Sequence, residues 1–403
     1  MKKYIFFCRD QLIMCLAAVP LGAVTGLVCV LFGKVLNRVI NFHSENYLFF
    51  LPFLGAAGAL IVWCYSKFGK GSDRGMALLF EVYQEKRSSI PLRLVPMIIG
   101  STWLTHLFGG SAGREGAAVQ IGGTLGSYLG DKTKISNGNK IMMISGMAAG
   151  FSGLFRIPLA AVFFSLEVLR RGAIEYSALL PALVSAYTAN CVTGLFGLEK
   201  FTRHLNCEIS LGIPEFMKLI LLGVLFGLAG MLFSLLMKKL RAFLPGLIKN
   251  DILRILAFGT AIGLLSLVFR DRYSGLGTNL ITDGFSGNIM PWDFALKMIF
   301  TALCLTIGYT GGEFTPLFSI GASLGFVLSG LIGLPSELCV ALGYISVLGS
   351  ATNTFISPVF IGAELFGTEY IPVFMTVCAV ARICNGNQTI YPLQEQQTLK
   401  ADE

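Results

Sequence analysis

The chain has few charged residues for its length, and this shortage limits the classes of protein to which it can belong. Asp, Glu, Lys and Arg make up 13% of its 403 residues, whereas hydrophobic residues make up 54%. Soluble domains carry about 25% charged residues, and a soluble fold of this size needs more polar side chains to cover its surface. The composition therefore predicts an integral membrane protein and excludes a soluble enzyme.

The charges that are present are mostly basic, with 31 Lys and Arg against 23 Asp and Glu and a net charge of +8. They fall in short clusters between apolar runs, for example in segments 67–74 and 238–241. Short basic loops follow the positive-inside rule of membrane proteins, whereas nucleic-acid binding requires a basic face on a soluble domain. We therefore expect a lipid bilayer, and no nucleic acid, as the partner of these residues.

Histidine is scarce, with three residues, and the ten cysteines are scattered and mostly lie inside apolar stretches. No close CxxC pair occurs, so the pattern predicts neither a zinc site nor a disulfide framework. We expect no metal and no cofactor.

Long apolar runs are abundant. A helix needs about 20 apolar residues to cross a bilayer, and the first run is too long for a cleaved signal peptide, so we expect it to be retained. The predicted full spans are 11–36, 48–66, 174–197, 216–237, 252–269 and 292–310. Shorter segments interrupted by Gly or Pro are 90–108, 115–130, 140–155, 157–169, 275–284, 314–333, 337–349, 357–367 and 370–384. Broken helices at membrane depth line cavities, which indicates a transporter or channel core.

An internal repeat divides the chain into two halves, 10–200 and 210–390, with a short tail at 391–403. Four motifs recur in the same order at offsets between 197 and 201, among them Gly113-Arg-Glu115 with Gly311-Gly-Glu313. Transporters built from such repeats bind substrate at the repeat interface, where half-helices direct their positive N-termini at anions. The tail is too short for a cytosolic regulatory domain, and we expect none.

The segment from Gly109 to Gly123 is a glycine-rich turn that leads into a helix whose first residue is Glu115. Backbone N–H groups at a helix start bind anions, so a carboxylate at this point can take the place of one. An intramembrane Glu is a candidate functional residue, but first-turn acids also cap helices. The motif alone leaves both interpretations open.

Three motifs together resemble the CLC chloride channel and transporter family. They are Gly113-Arg-Glu-Gly-x-x-Val-Gln-Ile-Gly-Gly123, Gly311-Gly-Glu-Phe-Thr-Pro316 and Pro158-Leu-Ala-Ala. The resemblance implies an all-α integral membrane fold of two inverted-topology repeats with many tilted and partial helices. It also implies a homodimer with one anion pathway in each subunit.

Three departures from the usual chloride pattern resemble the fluoride-exporting branch of that family. Met76 stands where a serine usually faces the anion, Glu313-Phe-Thr-Pro replaces an apolar residue before the Phe, and Val168 stands at the position of the inner proton-transfer Glu. Ala77 departs even from that branch, in which proline follows the methionine.

By this resemblance, Glu115 and Glu313 are predicted to gate the pathway and transfer protons. Residues expected to bind the anion are Gly75, Met76, Arg114, Gly116, Phe314, Thr315 and Tyr391. Read alone, three of them have other interpretations: Met76 as a flexible filler of core space, Thr315 as a helix cap, and Tyr391 as part of an interfacial aromatic belt.

The resemblance implies a fluoride/proton antiporter that exports fluoride across a bacterial plasma (inner) membrane as a multi-pass protein. The alternative is a chloride/proton antiporter or passive chloride channel of the same fold. A membrane enzyme that uses Glu115 or Glu167 as an acid or base is a third hypothesis. No His/Asp/Ser constellation or metal-ligand spacing supports it.

Overall fold

A computed structural model describes residues 2–207 and 212–395. Within these ranges the chain forms sixteen α-helices joined by short turns and contains no strand beyond two isolated bridges. The first eight are α1 (Lys2–Phe50), α2 (Leu54–Cys64), α3 (Ala77–Tyr83), α4 (Leu94–Leu107), α5 (Glu115–Thr133), α6 (Gly138–Phe155), α7 (Pro158–Glu167) and α8 (Leu179–Leu195). The second eight are α9 (Ile213–Leu247), α10 (Asp251–Val268), α11 (Thr278–Ser286), α12 (Asp293–Ile307), α13 (Phe314–Ile332), α14 (Ser336–Thr352), α15 (Ile356–Phe366) and α16 (Ile371–Cys384).

Five helical stretches in the described residues are long and apolar enough to cross a membrane: Arg9–Gly69, Tyr176–Leu195, Ile213–Leu247, Asp251–Val268 and Phe314–Ile332. They coincide with most of the predicted full spans, which confirms a membrane-spanning all-α protein. The two predicted spans 11–36 and 48–66 lie in one continuous helical stretch that has a non-helical residue at Asn46.

The predicted full span 292–310 is wrong in length. Helix α12 has 15 residues and ends before Gly308, whose φ of 120° lies in the left-handed region that favours glycine. At 1.5 Å per residue this helix is too short to cross a bilayer alone. Segment 314–333, predicted as a short interrupted helix, is long enough to span. The apolar run gave no signal for the break, because it depends on one glycine.

The order and length of the helices repeat along the chain. Helices α5 and α13 each have 19 residues and begin at 115 and 314, a difference of 199. Helices α3 and α11 begin at 77 and 278, a difference of 201, and α7 and α15 begin at 158 and 356, a difference of 198. The agreement supports the repeat, and the half boundaries at 10–200 and 210–390 stay a prediction.

Glycines bring the backbones of α5 and α6 into direct contact. A Cβ added at Gly122 would lie 2.0 Å from the carbonyl oxygen of Gly146, and one at Gly150 would lie 2.0 Å from that of Ala118. The same contact recurs in the second half, where a Cβ at Gly321 would lie 2.0 Å from the carbonyl oxygen of Gly343. Small residues spaced by four allow membrane helices to approach this closely. Each tight pair therefore holds the N-terminus of α5 or α13 in a fixed position.

Two buried carboxylates join the halves by capping each other's helices. Glu167, at the end of α7, accepts hydrogen bonds from the backbone N–H groups of Phe355 and Ile356, at 2.5 Å and 3.1 Å. Glu364, in α15, accepts one from Ala160 at the start of α7, at 2.8 Å. A carboxylate at a helix N-terminus satisfies unpaired N–H groups and the helix dipole. The role of Glu167 is thus to join two helices, which removes it from the enzyme hypothesis.

The glycine contact predicts a large difference between two Gly→Ala variants. Gly122→Ala forces a methyl group against the α6 backbone, and overpacking of this kind costs about 1–3 kcal/mol or more. Gly100→Ala, in α4, has no atom within 4 Å of the new Cβ and should be neutral, because alanine favours helix. The thermal midpoint and the monodisperse fraction in detergent should fall only for Gly122→Ala. Equal midpoints for the two variants would contradict the direct backbone contact.

Candidate functional site

The N-termini of α5 and α13 meet at the centre of the molecule. The N–H of Gly113 donates to the carbonyl of Gly312 at 2.5 Å, and the N–H of Gly312 donates back at 2.8 Å. A Cβ at Gly116 would lie 3.0 Å from the Cα of Gly312, so only glycine fits this approach. Two helix N-termini, one from each half, therefore direct their positive ends toward one small region.

Glu115 lies at this meeting point and is fully buried. Its Oε2 accepts hydrogen bonds from the Thr315 hydroxyl at 2.5 Å, the Arg114 N–H at 3.2 Å and the Thr315 N–H at 3.3 Å. Its Oε1 lies 3.6 Å from Nε of Arg114 and has no hydrogen-bond partner among the described residues. The donors around Oε2 are of the kind that binds a small anion, so the carboxylate fills an anion-binding position.

Glu313 directly precedes α13 and takes a different partner from Glu115. Its Oε1 accepts a short hydrogen bond from the phenol of Tyr391. The ring of Tyr391 is buried and packs against Phe80 in α3, with 5.3 Å between ring centroids. The two predicted acids thus use separate hydroxyl groups, one on a serine-like side chain in α13 and one near the end of the described chain.

A cavity of about 630 Å³ opens next to the second acid. Its walls include Gly75, Met76, Glu313 and Tyr391, which come from three distant parts of the sequence. Glu115 lies outside the cavity wall, behind Glu313. The described residues therefore form two levels, an enclosed one at Glu115 and one at Glu313 that faces the cavity.

The turn before α3 explains how this chain tolerates Ala77. Gly75 has a φ of 55°, which glycine adopts without strain. The N–H of Ala77 donates to the carbonyl of Arg74 at 3.1 Å. Proline at position 77 could not donate this bond, and here the hydrogen bond takes over the task of shaping the turn. Met76 is nearly buried and forms part of the cavity wall.

Three of the predicted anion-binding residues direct their side chains or surfaces elsewhere. The ring of Phe314 is fully buried between Phe151 and Phe164. Nη1 of Arg114 donates to Asn37 at 2.6 Å, and Gly116 contacts Gly312. Any contact of these residues with an anion involves their backbone or their charge, and their roles stay predictions.

Two residues that the sequence reasoning did not select also line the cavity. Gln120 faces Gly75, and its buried Oε1 has no hydrogen-bond partner among the described residues. Arg241, in α9, donates to the carbonyl of Ile390 at 3.2 Å. Gln120 belongs to the glycine-rich motif and could have been selected from it, whereas Arg241 had no signal beyond its place in a basic cluster.

Val168 lies where an inner proton-carrying Glu was considered. Its side chain is fully buried, and its carbonyl accepts a hydrogen bond from Gln394 at 2.7 Å. An apolar side chain carries no proton, so a second protonatable group near the pathway must come from another element. Glu313 is such a group, with its carboxylate at the cavity wall.

Comparisons with known proteins agree with this geometry. A model of the family described as voltage gated chloride channel matches residues 57–386. The chloride/fluoride channel protein of Pseudomonas syringae pv. tomato is 34% identical over 387 residues, which cover 92% of this chain and 85% of that protein. The H(+)/Cl(-) exchange transporter ClcA of Vibrio campbellii is 29% identical over 314 residues, 72% of this chain and 67% of that protein.

Solved structures show the same fold. A crystal structure of a CLC-type fluoride/proton antiporter superposes with a TM-score of 0.93 at 44% identity, covering 95% of this chain and 98% of that one. A slow cyanobacterial Cl⁻/H⁺ antiporter superposes with a TM-score of 0.80 at 20% identity, covering 94% and 96%, which supports the fold alone. The family match, the first relative and the paired helix N-termini lead to one conclusion: this chain belongs to the voltage gated chloride channel (CLC) family of membrane transport proteins.

Proposed function

We propose that the protein is a fluoride/proton antiporter that exports fluoride. The observation that carries this proposal is the buried Glu115 carboxylate, held between two helix N-termini by the Thr315 hydroxyl. The site binds a negative group that can be neutralised by a proton, and an exchanger needs such a group. The relatives described as fluoride-transporting proteins have the highest identity among those compared above, which supports fluoride as the anion.

Competition between the carboxylate and the anion couples the two ions. A carboxylate about 4 Å from a second negative charge costs about 4 kcal/mol at an effective dielectric of 20, or about a thousandfold in occupancy. Fluoride therefore enters this position when Glu115 leaves it, and protonation removes the charge that the helix N-termini hold. One proton and one anion thus exchange places at the same donors.

Glu313 serves as the second proton group in this cycle. It faces the cavity, whereas Glu115 is enclosed behind it, and Tyr391 donates a hydrogen bond to its carboxylate. The proton route on this side then passes through the cavity wall at Glu313 and leaves Val168 uninvolved.

Selectivity for fluoride rests on the donors of the site. Thr315 offers a hydroxyl and an N–H close to the position of the Glu115 carboxylate, and fluoride is a small, strong acceptor of such bonds. Met76 offers a thioether in place of a hydroxyl and occupies space at the cavity wall. Selectivity is a difference between two affinities, so a missing donor and added bulk both disfavour chloride.

A chloride/proton antiporter or passive chloride channel is the second candidate, favoured by the ClcA exchange transporter among the relatives. We also propose that the protein forms a homodimer in the plasma (inner) membrane of a bacterium, as both relatives named above are bacterial proteins.

Glu115→Gln should abolish proton coupling, because the amide cannot exchange a proton. Fluoride-driven proton uptake in proteoliposomes should disappear while passive fluoride movement persists. The matched control is Glu337→Gln, which removes the carboxylate of an ion pair with Arg203 away from the site and should keep normal coupling. Normal proton uptake in the Glu115→Gln variant would rule out its role as proton carrier.

Met76→Ser should shift selectivity toward chloride, because it restores a hydroxyl donor and opens space. The parent should move fluoride much faster than chloride in the same vesicles, and the variant's ratio should fall by about 1–2 kcal/mol, the value of one hydrogen bond. Met237→Ser makes the same exchange elsewhere in the cavity wall and should leave the ratio unchanged.

An unaltered ratio in a folded, active Met76→Ser protein would assign discrimination to Thr315, Tyr391 or the backbone. A parent that moves chloride as fast as fluoride would favour the chloride candidate.

A further inference from the structure

The cavity beside Glu313 opens on the side of the molecule that carries clustered basic residues. Arg74 and Arg241 belong to two of these clusters and line its wall. Tyr65 and Ser66, also in the wall, begin the π-helical turn that carries Lys67. Loops rich in Lys and Arg remain on the cytoplasmic side of a membrane. The cavity is therefore the cytoplasmic entrance to the site.

Most charged side chains of the cavity wall are already neutralised by a neighbour. Arg74 forms an ion pair with Glu81, and Arg254 forms one with Asp251 at 2.6 Å. Arg241 differs, because it forms no ion pair with any described residue and its side chain is exposed to the cavity. A cation without a bound carboxylate retains its attraction for a mobile anion.

Contacts of Arg241 place this charge near the inner end of the cavity. Its Nη1 donates to the carbonyl of Ile390, the residue before Tyr391, at 3.2 Å. The guanidinium also interacts electrostatically with Glu313 and Tyr391. A guanidinium has five N–H donors, so one bond to a carbonyl leaves others that can bind an anion between the entrance and Glu313.

We propose that Arg241 is an anion-recruiting residue of the cytoplasmic entrance, which binds fluoride from the cytoplasm before the anion reaches Met76 and Tyr391. This role rests on the proposed anion transport. Clefts lined by one sign of charge raise the local concentration of the opposite ion, and salt screens this effect. Asp73, which lines the same cavity without an ion pair among the described residues, opposes Arg241.

The test is the KM for fluoride in proteoliposomes at low and high concentrations of an inert salt with a bulky anion. Arg241→Gln should raise KM by about three- to tenfold at low salt, with the maximal rate within about twofold, and the difference should shrink at high salt. Arg241→Lys should keep the parent KM, because it keeps the charge. Arg254→Gln is the matched control, since its charge is already paired within the same cavity.

Asp73→Asn provides an independent arm of opposite sign, which stays informative if Arg241→Gln does not fold. It removes a negative charge from the cavity and should lower KM at low salt. An unchanged KM in folded Arg241→Gln, or a loss of proton coupling without a change in KM, would overturn the recruiting role. An unchanged KM in Asp73→Asn would also count against it. A parent without fluoride flux would instead contradict the proposed function.

Discussion

A buried negative charge between two helix N-termini is the interaction on which the rest of the structure depends. Glu115 is fully enclosed, and its Oε2 accepts three hydrogen bonds. Burying an unpaired carboxylate costs several kcal/mol, so the donors at the start of α5 and α13 must stay in place. The reciprocal bonds between Gly113 and Gly312 fix the two starts against each other, and the chemistry of the site follows from this arrangement.

The glycine contacts between neighbouring helices provide the required rigidity. Helices α5 and α6 touch through their backbones at Gly122 and Gly146, and α13 and α14 do so at Gly321 and Gly343. A lipid environment offers little hydrophobic driving force between helices, so close packing of small residues has to supply it. The abundance of glycine, 47 residues in the chain, therefore serves the position of two helix ends far along the sequence from most of those glycines.

Much of the site could be predicted from the sequence because its residues lie in short motifs that recur at a nearly constant offset. Glu115, Glu313 and Thr315 are next to the helix starts that the glycine-rich turns predict. Their pairing could not be predicted, because Glu115 and Thr315 are 200 positions apart and Glu313 and Tyr391 are 78 apart. The length of α12 was missed, since it depends on Gly308 alone. Arg241 was read only as a sign of membrane orientation, and its contact with Ile390 depends on tertiary structure.

The central claim is that a proton and an anion replace each other at the donors around Glu115. Linkage requires that fluoride binding then draws a proton onto the protein, as the displaced carboxylate becomes neutral. Calorimetric titration of the parent with fluoride, in two buffers of different ionisation heat, measures this uptake directly. The account predicts about one proton taken up for each fluoride bound. Fluoride binding with the same heat in both buffers, and therefore without proton uptake, would contradict it.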